Sequence, residues 1–199
     1  MRKLAVILTL GLAALSAHAA SPVDVINGAM QELSDKLDGR KDELQADKKA
    51  LYELIDGILL PRFDRKYAAQ LVLGRYWRTA SDAQRARFIE AFYQTLLQRY
   101  ADGVLDFEQD RIEVLPYRGD DSEKRTSVRT TVRLDDGTEV PVNYSLVKRD
   151  SGWKLFDVTI EGISYVRNFR AEMNSEIGAK GLDAVIARLE SEASGKSGT

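Results

Sequence analysis

An α+β fold, with helices packed around a curved four-stranded antiparallel sheet, is what this chain of 199 residues predicts, and three observations carry the prediction. Apolar residues recur every three or four positions up to about residue 106, alternate every second position from 111 to 161, and return to helical spacing from 164 to 193. Helices grouped before and after a run of strands leave one sheet face for the helices to cover.

Residues 1–19 read as an export signal. Arg2 and Lys3 give the charged start, residues 4–15 the apolar run, and Ala17-His18-Ala19 a small-x-small cleavage site. The run falls short of the roughly 20 residues a membrane helix needs. An exported, soluble product beginning at Ala20 is therefore expected, with one domain over residues 20–193 and a disordered Ser/Gly tail over 194–199.

The helices are argued from their spacing. Val23, Ile26, Met30, Leu33 and Leu37 make one face of a helix over 23–37, and Gly39 stops it. Leu44, Leu51, Leu54, Ile55 and Ile58 predict a second over 41–60, ended by Pro61. A shorter helix follows over 63–73. The strongest signal covers 81–106: Ser81 caps it with Gln84 reaching back, and Phe88, Phe92, Leu96, Tyr100 and Val104 recur every fourth residue. A stripe this wide and aromatic fits either an ordinary core helix or one wall of a cavity.

Strands are predicted over 111–118, 125–134, 138–149 and 152–161, joined by loops rich in Asp, Ser and Gly. In the second strand Thr126, Val128, Thr130, Val132 and Leu134 alternate with Arg125, Ser127, Arg129, Thr131 and Arg133, so one face is apolar or neutral and the other cationic. The fourth has no polar side. Phe156, Val158 and Ile160 project one way and Trp153 and Leu155 the other under strict alternation, so both faces need cover by protein or by an apolar ligand. Helices over 164–177 and 181–193 close the domain.

Composition narrows the chemistry. Cysteine is absent and the only histidine, His18, leaves with the signal, which excludes Ser-His-Asp and Cys-His nucleophiles and zinc sites built on those side chains. Export also removes two of 29 basic residues, leaving 27 against 31 acidic ones and a net charge of −4, which speaks against a nucleic-acid partner. Asp120-Asp121 and Asp135-Asp136 fit turns. Asp157 and Glu161, on the strand face shared with Trp153, call for an Arg or Lys partner rather than catalysis. Arg75 and Arg78 flank Tyr76-Trp77; their rings pack inward while the cations reach water, or one cation meets an anionic lipid head group.

Several runs in combination are specific: Phe63-Asp64, Val72-Leu73-Gly74-Arg75-Tyr76-Trp77-Arg78, and Gln84-Arg85 followed by Phe88, Phe92, Leu96-Leu97 and Tyr100. Trp153-Lys154, Asp157-Val158, Glu161-Gly162-Ile163-Ser164, Asn168-Phe169-Arg170 and Gly181-Leu182-Asp183 continue them. With these, nearly the whole chain after residue 19 resembles the MlaC family of periplasmic phospholipid-binding proteins, also known as toluene-tolerance auxiliary components of an ABC transport system. The resemblance implies a strongly curved sheet and helices enclosing an apolar pocket that takes acyl chains and leaves the head group outside. It implies a lipid shuttle between an outer-membrane lipoprotein–porin complex and an inner-membrane ABC transporter with MCE-domain subunits, in support of outer-membrane lipid asymmetry. No catalytic residue, metal or cofactor is expected, and the carrier is expected to be a monomer with phospholipid as cargo.

Inward phase on sheet and helices then nominates the pocket: Phe88, Phe92 and Leu96 from the long helix, and Val142, Tyr144, Leu146, Phe156, Val158, Ile160, Ile163 and Val166 from the second half. Two other readings compete. A periplasmic interaction or chaperone module would have a solid core, where a carrier would hold a dry cavity at or beyond the upper end of the usual 300 to 1,000 Å³. A hydrolase would need Asp157 and Glu161 converging in a cleft with separated pKa values.

Overall fold

The computed structural model describes residues 20–120 and 122–194. The expected export signal over 1–19, Asp121 and the expected tail from 195 lie outside the described residues. Ser194, expected in that tail, instead caps the last helix.

Helix α1, Pro22–Leu37, opens with a capping box. The Ser21 hydroxyl accepts from the Asp24 amide at 3.1 Å, and the Asp24 carboxylate accepts from the Ser21 amide at 2.9 Å. Where one helix is expected over 41–60 there are two, α2 Lys41–Ala46 and α3 Lys48–Leu59. Asp47 is the cause. Its carboxylate accepts from the Ala50 amide at 3.1 Å, which starts a new helix rather than continuing the old one. Helix α4, Arg65–Leu73, meets the unforeseen short helix α5, Arg75–Thr79, at Gly74. Gly74 has φ +54, and a Cβ there would lie 2.9 Å from the Arg170 guanidinium. Helix α6, Asp82–Val104, carries the expected Ser81–Gln84 capping box.

The sheet has five antiparallel strands in the order β1 Ile112–Val114, β2 Arg125–Arg133, β3 Glu139–Arg149, β4 Gly152–Ile160 and β5 Ile163–Ser164. Strand β1 is shorter than expected because Leu115 makes the last bond, to the Arg129 carbonyl, and Pro116 has no N–H to continue the ladder. The unforeseen β5 arises at Glu161-Gly162. Both residues have positive φ, 50° and 82°, so the chain turns back in two residues and pairs Ile163 with Ile160. Helices α7, Tyr165–Lys180, and α8, Leu182–Ala193, complete the chain.

One irregularity decides which side chains face inward. Ser145 pairs with Asp157 and Leu146 with Leu155, so Phe156 is an extra residue in a β-bulge. Strict alternation thus fails in β4. Trp153 and Leu155 lie on the same face as Val158 and Ile160, opposite Lys148, Leu146, Tyr144 and Val142 respectively, while Asp157 falls on the other face. The strand that read as apolar on both sides is largely one apolar face interrupted by the bulge.

Three apolar cores hold these elements together. One joins α4, α6, α7 and α8 around Phe88, Phe92, Phe169 and Ile186. A second joins α2 and α3 to α6 around Leu44, Leu51, Ile55 and Leu97. The third packs Ile26 and Met30 of α1 on Val128, Leu146 and Trp153 of the sheet.

Candidate functional site

A cavity of about 390 Å³ lies where these cores fail to merge. Each wall follows from the elements already described. Helix α6 contributes Phe92, Leu96, Tyr100 and Val104 from its expected stripe and Tyr93, Leu97 and Ala101 from the strip beside it. Helix α3 adds Ile55 and Leu59, the turn into α4 adds Phe63, and α4 itself adds Ala68. The floor is Tyr144 of β3 with Leu155 to Val158 and Ile160 of β4, and the first turns of α7 bring Tyr165, Val166 and Phe169.

Seven of the eleven residues nominated from sequence meet here: Phe92, Leu96, Tyr144, Phe156, Val158, Ile160 and Val166. The other four sit elsewhere. Phe88 is sealed in the α4–α6–α7–α8 core, one helical turn before Phe92 and stacked on it at 5.5 Å. Leu146 packs under α1 with Trp153 and Met30. Val142 is buried between Thr130 and Ile160 in the sheet register without reaching the lining. Ile163 stands on β5 beyond the turn and is 62% exposed. The α3 residues and the second strip of α6 were missed; spacing shows that Ile55, Leu59, Tyr93 and Leu97 are inward-facing, but not what they face.

The polar groups in the wall are few. Tyr93 donates to Asp56 at 2.6 Å, and burial followed by that carboxylate pushes its phenol far above the ordinary value. Burial also raises the Tyr144 phenol, opposed by the nearby Thr130 hydroxyl, which itself donates to the Val142 carbonyl at 2.9 Å. Among the described residues Asp157 is the one charged group in the lining, and its partner is neither Arg nor Lys as expected. Its two oxygens accept from the Ser164 hydroxyl at 2.6 Å and from the Val166 amide at 2.9 Å, at the positive end of the α7 dipole. Glu161 stays in its exposed turn, so the two carboxylates do not form a paired cleft. Arg75 and Arg78 are not part of the lining; Arg75 bonds the Tyr76 hydroxyl at 2.8 Å.

With every charge in its wall matched, the cavity suits hydrocarbon and offers a water little to bond. Helices and an antiparallel sheet around an apolar chamber define a class of hollow α+β proteins. Residues 27–191 match the family model described as MlaC protein, and the chain belongs to that family. It is 31% identical over 170 residues to the Toluene tolerance protein ttg2D of Pseudomonas putida, spanning 85% of this chain and 79% of that one. Identity is 23% over 177 residues with the Intermembrane phospholipid transport system binding protein MlaC of Haemophilus influenzae, spanning 87% and 83%. The fold matches the solved structure of a phospholipid-binding protein from Ralstonia solanacearum in complex with a phospholipid, with a TM-score of 0.79 at 21% identity, over 90% of this chain and 100% of that one.

Proposed function

We propose that this protein is a phospholipid carrier that holds acyl chain in the cavity between α6, α7 and β4, leaves the head group at the mouth, and performs no catalysis. The observation that carries this reading is the wall: almost wholly apolar surface, with its single carboxylate among the described residues matched by a hydroxyl and a helix-terminal amide. Names of relatives that bind or transport phospholipid support it. The volume of about 390 Å³ is near the lower end of the range for ligand cavities rather than at the upper end expected of a carrier. At roughly 30 Å³ per methylene, close to a water's share of liquid volume, it takes about 13 methylenes, the bulk of one chain.

Burying about 13 methylenes at roughly 0.8 kcal/mol each gives about 10 kcal/mol relative to water. Relative to a bilayer the same chain gains little, because hydrocarbon is exchanged for hydrocarbon. Direction therefore comes from differential affinity among docking partners or from ATP hydrolysis elsewhere. In our reading the partners are the outer-membrane lipoprotein–porin complex and the inner-membrane MCE-domain ABC transporter, the compartment is the periplasm, reached through residues 1–19, and residues 20–193 work as one monomeric domain. Native mass spectrometry and solvent extraction of purified protein test the carrier directly: co-purifying phospholipid is expected. Protein that stays empty after incubation with phospholipid vesicles would remove the reading in favour of a solid-core interaction module.

A further inference from the structure

Among the described residues, five side chains in the cavity wall carry a polar atom, and two of them are already hydrogen-bonded. Tyr93 donates to Asp56, and Asp157 accepts from Ser164 and Val166, while the Tyr144 phenol sits deep on the cavity floor near a Thr130 hydroxyl that itself donates to the Val142 carbonyl. The remaining two, Tyr100 and Tyr165, have hydroxyls with no hydrogen-bond partner among the described residues.

Their place is informative. Among the described residues Tyr100, 42% exposed, is the most open of the lining, so it marks the mouth. Tyr165, the first residue of α7, meets it edge to face with ring centroids 5.4 Å apart. The Tyr165 phenol is raised first by burial and then by Tyr100, which puts the two hydroxyl ends within electrostatic reach of each other. The pair thus bridges two elements, α6 and α7, across the opening. Exposed Ile163, two residues before Tyr165, carries the apolar surface outward. Arg99, next to Tyr100, spreads its guanidinium over Phe169 at 5.6 Å.

Phenols have an apolar body and a donor at the tip, which suits a boundary between hydrocarbon and water. In a glycerophospholipid that boundary presents acceptors, the ester carbonyl and phosphate oxygens. We propose that Tyr100 and Tyr165 form a head-end clamp, donating hydrogen bonds to the ester or phosphate oxygens of a glycerophospholipid whose chain fills the cavity, and so setting how deep the lipid sits. The clamp rests on the carrier reading and assigns its polar contacts.

Release of dioleoylphosphatidylglycerol from loaded protein to acceptor vesicles tests it, with a pyrenyl-alkane that carries no oxygen as the chain-only probe. Replacement by Phe keeps both rings and removes only the donors. Tyr100→Phe and Tyr165→Phe should each speed phospholipid release about three- to tenfold, and the double variant about 10- to 100-fold, while pyrenyl-alkane release stays unchanged. Diacylglycerol separates the two acceptors: accelerated release of it as well points to ester carbonyls, and unchanged release to the phosphate. A double Phe variant that melts like wild type, loads, and releases phospholipid at the wild-type rate overturns the clamp and leaves the carrier standing. Wild-type protein that binds neither probe removes the carrier reading and the clamp together.

Discussion

Val158 and Ile163 are alike in chemistry and five residues apart, but Val158 is in the cavity floor and Ile163 is on the outside of β5. A glutamate at Val158 would bring an uncompensated carboxylate against acyl chain, so Val158→Glu should lower phospholipid occupancy at least tenfold in a folded protein, read by native mass spectrometry. Ile163→Glu should change occupancy less than about twofold, since its side chain already meets water. Tyr93 tests a different property. Its hydroxyl satisfies Asp56 while its ring faces the cavity, so Tyr93→Phe should cost about 1–2 kcal/mol, a fall of about 2–6 °C in Tm, with lipid occupancy unchanged.

Among the elements, α7 and α8 are clamped by Glu176, which Arg188 meets at 2.6 Å with a second arm reaching Glu192. The Arg188 hydrogen bond holds the Glu176 carboxyl below its ordinary value of 4.5 despite some burial. A carboxylate with a depressed folded pKa contributes stability that is complete above the unfolded value and lost as pH falls through the folded one. Glu176→Gln should therefore melt below wild type at pH 7, and the two melting curves should converge as the pH falls below 4.5. The same scale shows what sequence reveals. Helix α6 and its capping box were legible because Ser81, Gln84 and an unbroken four-residue repeat agree. The break at Asp47 was not, because an Asp inside an apolar repeat reads equally as a solvent-facing helix residue. The bulge at Phe156 was written in the sequence as a phase change, with apolar residues at 153 and 155 and then at 158 and 160; strict alternation interprets that as two faces. Leu155 was lost from the candidate pocket for that reason, and Asp157 was assigned the wrong face and the wrong partner.

At the scale of the molecule, a chamber between three separate cores leaves apolar wall without protein to cover it, and a ligand that fills the chamber stabilises the whole. Phospholipid at about a hundredfold excess over its Kd should add about 2.7 kcal/mol and raise Tm by about 5–10 °C over delipidated protein. An unchanged Tm on addition of lipid would mean that the wall is not being covered. Which inward residues line the chamber and which seal the cores was beyond reach of the sequence, because acyl chain and Leu side chain present the same surface to Phe88 and to Phe92 alike.

Hollow proteins have less interior holding them together, and their sheet borders are correspondingly exposed to recruitment by other chains. Here Leu155, in the middle of β4, gives its amide to the Arg62 carbonyl at 2.7 Å and takes the Asp64 amide on its own carbonyl at 2.8 Å. Two-residue β5 occupies the far end of the same border, and β1 on the opposite border stops after three residues at a proline. Among the described residues both borders are thus interrupted, which shortens the template on which copies of this chain could join strand to strand.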